Sequence, residues 1–362
     1  MRAQGLTPKA QQRAAKQRQR ELERASREIA KLSALEQARL EVESFDNSIE
    51  VLLSVHKEQA EPTDWQAHAA SIRPVSPIRE SYYEQRARLR LTLDPLSPDA
   101  NSILAQAHEH DEVQYQEILE AHYTRMAEWE KWSALARRVL SGEIAAYIEA
   151  IEETNPFSEL AGIGSSMHFT GHNRRVVEIG LRTNARQAIP TEIKTLTSAG
   201  KVSTKTMPRA RFVELYQDFV SGCVLRVARE LFALLPVDTI LITASVEAMD
   251  SATGHTAERP FLSVVIERAI LDTLNFDQID PSDALMALPH RGDLKASRKT
   301  GEFEYITPLT IADLGLHEAA ASRMNFDELW NRAKRCQDDL AAKCAALDAA
   351  GDETPSLNEE PS

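Results

Sequence analysis

The sequence predicts an α+β protein whose helices dominate before about residue 140 and whose strands follow. Twelve of the thirteen glycines lie from Gly142 onward, and none occurs between Gly5 and Gly142. Because glycine marks turns and bulges and is disfavoured inside helices, this distribution predicts a helical first part and a mixed second part. Six segments of the second part follow the order α-β-β-β-α-β, which is the predicted core.

The composition is typical of a soluble protein with two or three folding units. Charged residues make up 27%, the mean hydropathy is -0.37, and no apolar run approaches the ~20 residues that cross a bilayer. No apolar segment follows the basic N-terminus, so a cytoplasmic location without membrane contact is expected. Cys223, Cys336 and Cys344 lie in apolar helical registers without a CxxC motif, which predicts reduced core thiols.

Proline, glycine and charge divide the chain into five expected regions. They are a basic N-terminal helical arm (1–60), a helical region (61–140), a mixed α/β domain (141–310), C-terminal helices (311–349) and a disordered acidic tail (350–362).

The N-terminal arm is predicted to be helical and partly coiled-coil-like. Thr7 and Pro8 suit a helix start, and no proline follows before Pro62, so a single helix of about fifty residues fits this span. A heptad spacing begins at Leu22 and is broken at Glu36. This pattern predicts weak homodimerisation through the N-terminal helix.

Charge is distributed unevenly along the chain. Residues 1–31 carry a net charge of +6, and the remainder carries -19. The arm therefore either contacts nucleic-acid phosphate or an acidic protein surface, or forms a solvated helix. Because the arm has few apolar residues to bury, deleting it is expected to leave the melting temperature nearly unchanged.

Hydrophobic periodicity locates the elements of the predicted core. Helices are expected at 143–153 and 208–235, and strands at 166–170, 175–182, 188–197 and 238–246. The long second helix connects two strands, and such crossovers favour a parallel pairing of the strand at 238–246 with an earlier strand. The strands at 175–182 and 188–197 are expected to form a hairpin.

Three charged residues of this hairpin form the strongest candidate site. Glu178 lies on one strand, and Glu192 and Lys194 lie two residues apart on the next, so the last two share a strand face. Carboxylates are suitable ligands for Mg²⁺, and a metal-bound water becomes a nucleophile near neutral pH.

With this element order, residues 143–246 resemble the PD-(D/E)xK, or restriction-endonuclease-like, superfamily. The resemblance implies that Glu178 and Glu192 bind Mg²⁺ and that Lys194 polarises the attacking water or the phosphate. The usual aspartate is absent, because position 178 is Glu, and no Pro-Asp pair precedes it. Gln217 on the following helix is a candidate for the polar accessory residue of many members. The alternative is a half-exposed hairpin whose three charges form ion pairs in water.

The segment after this hairpin is rich in cations and is expected to be a loop. Four of its side chains would suit a phosphate backbone; they are Lys201, Lys205, Arg209 and Arg211. A solvated loop is the alternative. Gly200-Lys201 is not a P-loop, because Val202 occupies the required Ser/Thr position.

A further long helix is predicted from Ser97 to about Leu140 by side chains at three- and four-residue steps. Four of its residues invite a metal interpretation, namely His108, His110, Asp111 and His122. His108 and His110 point to different sides of a helix, so packing and surface roles are expected instead. Asn325 is expected to cap a C-terminal helix. The sequence thus predicts a metal-dependent nuclease or a nuclease-like nucleic-acid-associated protein, and a non-catalytic scaffold or assembly protein is the alternative.

Overall fold

The structure, a computed structural model, describes residues 16–22, 24, 34–58, 61–93, 98–157, 166–183, 185–249, 253–297, 302–315 and 322–325. It has the predicted α+β class. The chain divides into two compact units, Asp64–Ser141 and the remainder on either side. No helix of the described ranges is long and apolar enough to cross a membrane.

The described helices and strands are numbered in chain order. The helices are α1 (Ala34–Leu53), α2 (Trp65–Ala70), α3 (Tyr82–Leu93), α4 (Ala100–Ser141), α5 (Ile144–Thr154), α6 (Ala185–Ala188), α7 (Arg209–Leu234), α8 (Arg268–Leu271) and α9 (Pro281–Met286), with 3-10 turns at Val55–Lys57 and Ile311–Leu314. The strands are β1 (Ser166–Asn173), β2 (Val176–Arg182), β3 (Glu192–Leu196), β4 (Val202–Thr206), β5 (Thr239–Met249), β6 (Thr256–Glu267), β7 (His290–Arg291) and β8 (Ser322–Asn325).

The unit Asp64–Ser141 is built on α4, against which α2 and α3 pack. Trp132 lies 5.7 Å from the ring of His68 and 6.2 Å from that of Trp65. The indole of Trp129 donates to the carbonyl of Ser71 at 3.0 Å. Both tryptophans of α4 therefore pack helices together.

Asp111 of α4 is a capping residue rather than a metal ligand. It is 3% exposed and accepts hydrogen bonds from the backbone N–H groups of Tyr83 and Glu84 at 2.9 and 2.8 Å. These are donors at the start of α3 that have no partner within that helix. Across the described ranges, no three or more His, Cys, Asp or Glu side chains are arranged to hold a metal ion.

The N-terminal arm folds back on itself. Residues 16–22 are helical, and the guanidinium of Arg18 contacts Asn47 at 2.9 Å and Glu50 at 2.5 Å. In one straight helix, residues 32 positions apart would lie about 48 Å from each other. The continuous helix of fifty residues is therefore excluded. Instead, residues 16–22 pack beside α1, and Leu22 is only 8% exposed.

Six strands form the main sheet in the order β7-β6-β5-β2-β1-β8. β2 and β5 pair in parallel, which confirms the predicted crossover through α7, and the other neighbours pair antiparallel. β8 pairs with β1 and ends at Asn325, an extended position that is compatible with the predicted helix cap. The C-terminal helix predicted after it lies outside the described residues, as do the acidic tail, Cys336 and Cys344.

Helix α7 forms the centre of the larger unit. Every residue from Phe219 to Leu234 is buried, because α7 contacts β5 and also α1, Val55–Lys57 and α9. Gly222 lies near His56, and a Cβ added to it would be 3.6 Å from the nearest atom, which is an ordinary van der Waals contact. Burial raises the pKa of the free Cys223 thiol to about 12, as expected for a reduced core cysteine.

Candidate functional site

One side of the central strands carries several polar residues. Val177, Ile179 and Leu181 of β2 are at most 1% exposed, and Glu178 lies on the opposite side of the strand. Glu178 is paired in register with Thr170 of β1. Register partners share a sheet face, so the opposite side, here called the polar face, carries a buried apolar cluster that includes Val176 and Leu241 and, next to it, four polar residues of three neighbouring strands. They are His168, Thr170, Glu178 and Thr243.

Glu178 forms a close contact with a histidine that the sequence did not single out. The Nε2 atom of His172 lies 2.8 Å from the carboxylate of Glu178, and the two side chains are 5% and 33% exposed. His172 Nδ1 is buried and has no hydrogen-bond partner within the described part of the chain. A carboxylate that holds an imidazole is an arrangement suited to proton transfer.

A second histidine, His168 of β1, lies on the polar face opposite Gly180, which is two residues beyond Glu178 on β2. A Cβ added to Gly180 would be 1.8 Å from the ring of His168. Gly180 is therefore required for this imidazole to lie against the strand.

The expected hairpin between 175–182 and 188–197 is not formed. β2 is flanked by β1 and β5, whereas β3 pairs with β4 in a separate two-stranded sheet. α6 lies between β2 and β3 in the chain. The segment predicted as a loop after residue 197 supplies β4, which takes the place of β2 as the partner of β3.

The three residues predicted to form one site consequently have separate partners. Lys194 donates to Glu41 of α1 at 2.8 Å, Glu178 contacts His172, and Glu192 is exposed at the start of β3. The hairpin that was expected to bring the Mg²⁺ ligands together is absent, and the joint site of Glu178 and Glu192 stays a prediction. Gln217, the predicted accessory residue, donates to the carbonyl of Leu294 at 2.6 Å.

Strands β3 and β4 form a basic ribbon, which we define as residues 192–206. Its loop is closed by hydrogen bonds from Thr197 N to Lys201 O and from Gly200 N to Thr197 O, both 2.9 Å. Gly200 adopts φ +73, a left-handed conformation that favours glycine. α1 packs on the side of the ribbon that carries Lys194, because Glu41 on that helix holds its ammonium group. The opposite side carries Ile193 and Lys205, which are register partners.

The predicted phosphate-binding cations differ in whether a carboxylate already neutralises them. Arg211 lies 3.0 Å from Glu214, and Arg209 donates to the carbonyl of Ser297 at 3.1 Å. Lys201 and Lys205 are exposed and pair with no carboxylate among the residues that the structure describes. Lys201, Lys205 and Arg209 therefore retain charges that no described acid neutralises.

A cavity of about 440 Å³ opens at the carboxyl ends of the parallel strands β2 and β5. We call it the edge cavity. It is lined by Thr183, Arg186, Gln187, Tyr216, Val246, Glu247, Ala248, Met249, Phe261, Glu302, Phe303 and Tyr305. Phe303 stacks on Tyr216 at 4.5 Å and on Phe261 at 5.0 Å. Burial raises the pKa of Tyr216 to about 12, so its hydroxyl is neutral at physiological pH.

Sequence reasoning missed this cavity because its lining comes from separate segments of the chain. Tyr216 lies within the predicted helix at 208–235, where the sequence gives no sign that it lines a cavity. The aromatic residues near position 303 follow a basic turn-rich stretch and have no periodic pattern. Comparison of the chain with protein-family models, with curated proteins and with solved structures finds no match in any of the three.

Proposed function

We propose that this protein binds nucleic acid and that the basic ribbon contacts the phosphate backbone. The observation that carries the proposal is the pair of exposed lysines, Lys201 and Lys205, on a ribbon whose third lysine is already held by Glu41. On a chain of net charge -13, cations that no described acid neutralises are concentrated where an anionic chain could approach. Arg209, directly after the ribbon, extends this positive surface.

The ribbon also has polar groups suited to a sugar-phosphate chain. Ser203 of β4 and its register partner Thr195 of β3 carry hydroxyls on the side of Lys205, and hydroxyls are donors of the kind that fix a protein to phosphate and sugar. Because α1 and Glu41 cover the side of Lys194, the side of Lys205 is the one available to a ligand.

The salt dependence of binding tests the proposal. We expect Lys201→Ala with Lys205→Ala to weaken binding and to reduce the slope of log K against log salt by roughly 1.4 to 1.8, since two phosphate contacts are lost. Fluorescence anisotropy with single- and double-stranded DNA and RNA measures both quantities. The matched control is Arg86→Ala with Arg90→Ala, two exposed cations of α3.

Equal slopes for the two double variants would reject the ribbon as the contact. If the parent binds none of the four nucleic acids, nucleic-acid binding itself is rejected, and the scaffold alternative is favoured.

Hydrolysis is a second candidate function, favoured by the contact between Glu178 and His172. A carboxylate–imidazole pair on a sheet face is suited to general base catalysis, which contributes about 10²- to 10⁴-fold to rates.

We expect Glu178→Gln to remove any cleavage of DNA or RNA that the parent shows with Mg²⁺ or Mn²⁺. Glu192→Gln is the discriminating control: it should retain cleavage, whereas a joint site of the two glutamates would lose it. Absence of cleavage by the parent rejects this candidate.

A further inference from the structure

The edge cavity lies where open α/β sheets bind ligands. Thr183 directly follows β2, while Val246 and Ala248 belong to the far half of β5. These two strands are the parallel pair of the sheet, and a crevice outside the carboxyl ends of parallel strands is a favoured ligand position. The volume of about 440 Å³ is within the usual range of small-molecule sites.

The cavity wall is aromatic and rigid. Phe303 is 6% exposed and Tyr216 is 3% exposed, and their rings are nearly parallel at 14°. Tyr305 is 43% exposed, so its ring is the one accessible to a further planar group. Aromatic side chains of this kind stack on nucleobases without regard to sequence.

The rim carries hydrogen-bonding groups of both kinds. Arg186 and Glu302 face each other at 3.9 Å, with side chains 51% and 54% exposed, and Gln187 adds an amide. Their separation is longer than a hydrogen bond. A carboxylate has about four lone-pair sites, so Glu302 can accept from a ligand in addition to the contacts that it already makes. A carboxylate accepts hydrogen bonds from the exocyclic amine of a base, whereas it repels a carbonyl oxygen in the same position.

The cavity and the basic ribbon are close to each other along the chain. Gln187 and Glu192 are only five positions apart, which limits their distance to about 18 Å even if fully extended. The guanidinium of Arg186, which lines the cavity, lies 6.0 Å from the centre of the Phe212 ring. Phe212 is in the first turn of α7, the helix that follows the ribbon in the chain. One strand of nucleic acid held on the ribbon would therefore have bases within reach of the cavity.

We infer that the edge cavity receives one unpaired nucleobase bearing an exocyclic amine, from single-stranded nucleic acid held on the basic ribbon. This inference rests on the proposed function and adds the substrate class, because a base inside a duplex is stacked and paired and cannot enter. Tyr305 stacks on the base, and Glu302 accepts from its amine.

Cytosine and uracil oligonucleotides test the inference, since the two pyrimidines differ at the exocyclic amine. We expect the parent to bind the single-stranded cytosine oligonucleotide about fivefold or more tightly, the lower end of base discrimination by one side chain. Glu302→Gln should abolish that preference. The neighbouring Glu304→Gln, exposed and outside the cavity, should retain it.

Tyr305 provides an independent variant that does not depend on charge. Tyr305→Ala should weaken both single-stranded oligonucleotides, whereas Tyr305→Phe keeps the stacking ring and should bind like the parent. None of the cavity variants should change the salt slope, which belongs to the ribbon. Free cytidine should compete with the oligonucleotide, and inorganic phosphate at equal concentration should not.

The results separate the two proposals. If Lys201→Ala with Lys205→Ala weakens binding but Glu302→Gln and Tyr305→Ala do not, the cavity inference is overturned and the ribbon stands. Better competition by phosphate than by cytidine also overturns it, because the cavity would then be an anion site. Failure of every oligonucleotide to bind overturns both.

Discussion

At the scale of single residues, the contact between Val55–Lys57 and α7 depends on buried charge. Glu58 lies 2.6 Å from Arg226, which in turn lies 2.7 Å from Glu230 on the next turn of α7. All three side chains are at most 9% exposed. Removing one partner of such a group leaves a buried charge poorly compensated, so these residues define how the chain after α1 docks.

His56 lies within this docked segment and should make the fold sensitive to acid. Its ring is 2% exposed, and burial, with smaller contributions from Lys57 and Arg229, lowers its pKa from 6.5 to about 4. Because the pKa of His56 is lower in the folded protein than in the unfolded chain, the imidazole binds a proton more readily in the unfolded chain. Its contribution to stability is therefore complete above pH 6.5 and is lost as the pH falls toward 4.

We expect His56→Gln to flatten the dependence of unfolding free energy on pH between 6.5 and 4. The difference should reach at most about 3 kcal/mol over this interval, because one pKa unit corresponds to 1.36 kcal/mol. Urea unfolding at several pH values measures it. His255→Gln, at an exposed loop position, is the control and should keep the parent's slope. A His56→Gln slope equal to the parent's would contradict the assignment.

At the scale of elements, the sequence predicted best where burial imposes a strong pattern. α7 and β5 were located to within three residues at each end, and their parallel crossover followed from topology. Both are apolar enough to have one physically acceptable environment, because a helix that is apolar on two sides must be covered on two sides. The long helix α4 was found from its three- and four-residue steps, although Ile118 on that face is 42% exposed.

The partner of β3 could not be predicted in this way. β3 and β4 consist largely of Thr, Ser, Lys and Glu, so neither strand has an apolar side that specifies its register or its neighbour. Sequence proximity favoured β2 as the partner, and α6 between them went unrecognised.

The candidate site was predictable only in part for a related reason. Glu178 stood out as an acid within an apolar strand, and Lys201 and Lys205 stood out by charge. His172 lies next to Glu178 because the β1–β2 register is irregular between Gly171 and Asn173. No sequence pattern specifies that irregularity. The edge cavity depends on the tertiary approach of α7 to the segment near Phe303, and such contacts leave no local signal.

At the scale of the whole molecule, the basic arm is joined to the acidic body by specific contacts. Lys16 lies 3.2 Å from Glu58, and Arg18 lies 2.5 Å from Glu50. Two of the arm's cations are therefore neutralised within the chain, which leaves the ribbon as the better-supported phosphate contact. The weak homodimer through the arm stays a prediction. Sedimentation of the full chain and of a chain that begins at residue 34 tests it, and equal monomeric masses would reject it.

The docked arm also changes the expected effect of its removal on stability. Leu22 is 8% exposed, so the arm buries apolar surface that its charged sequence did not reveal. We expect Leu22→Ala to lower the free energy of unfolding by about 2 kcal/mol or more, because it removes a buried side chain and leaves a cavity. The chain that begins at residue 34 should lose at least as much, as it also lacks the ion pairs to Glu50 and Glu58. Leu89→Ala, at a leucine 65% exposed, is the control and should change stability by about 0.5 kcal/mol or less. If urea unfolding finds the two leucine variants equally stable, the arm does not dock on α1 in solution, and the original expectation of an unchanged melting temperature is restored.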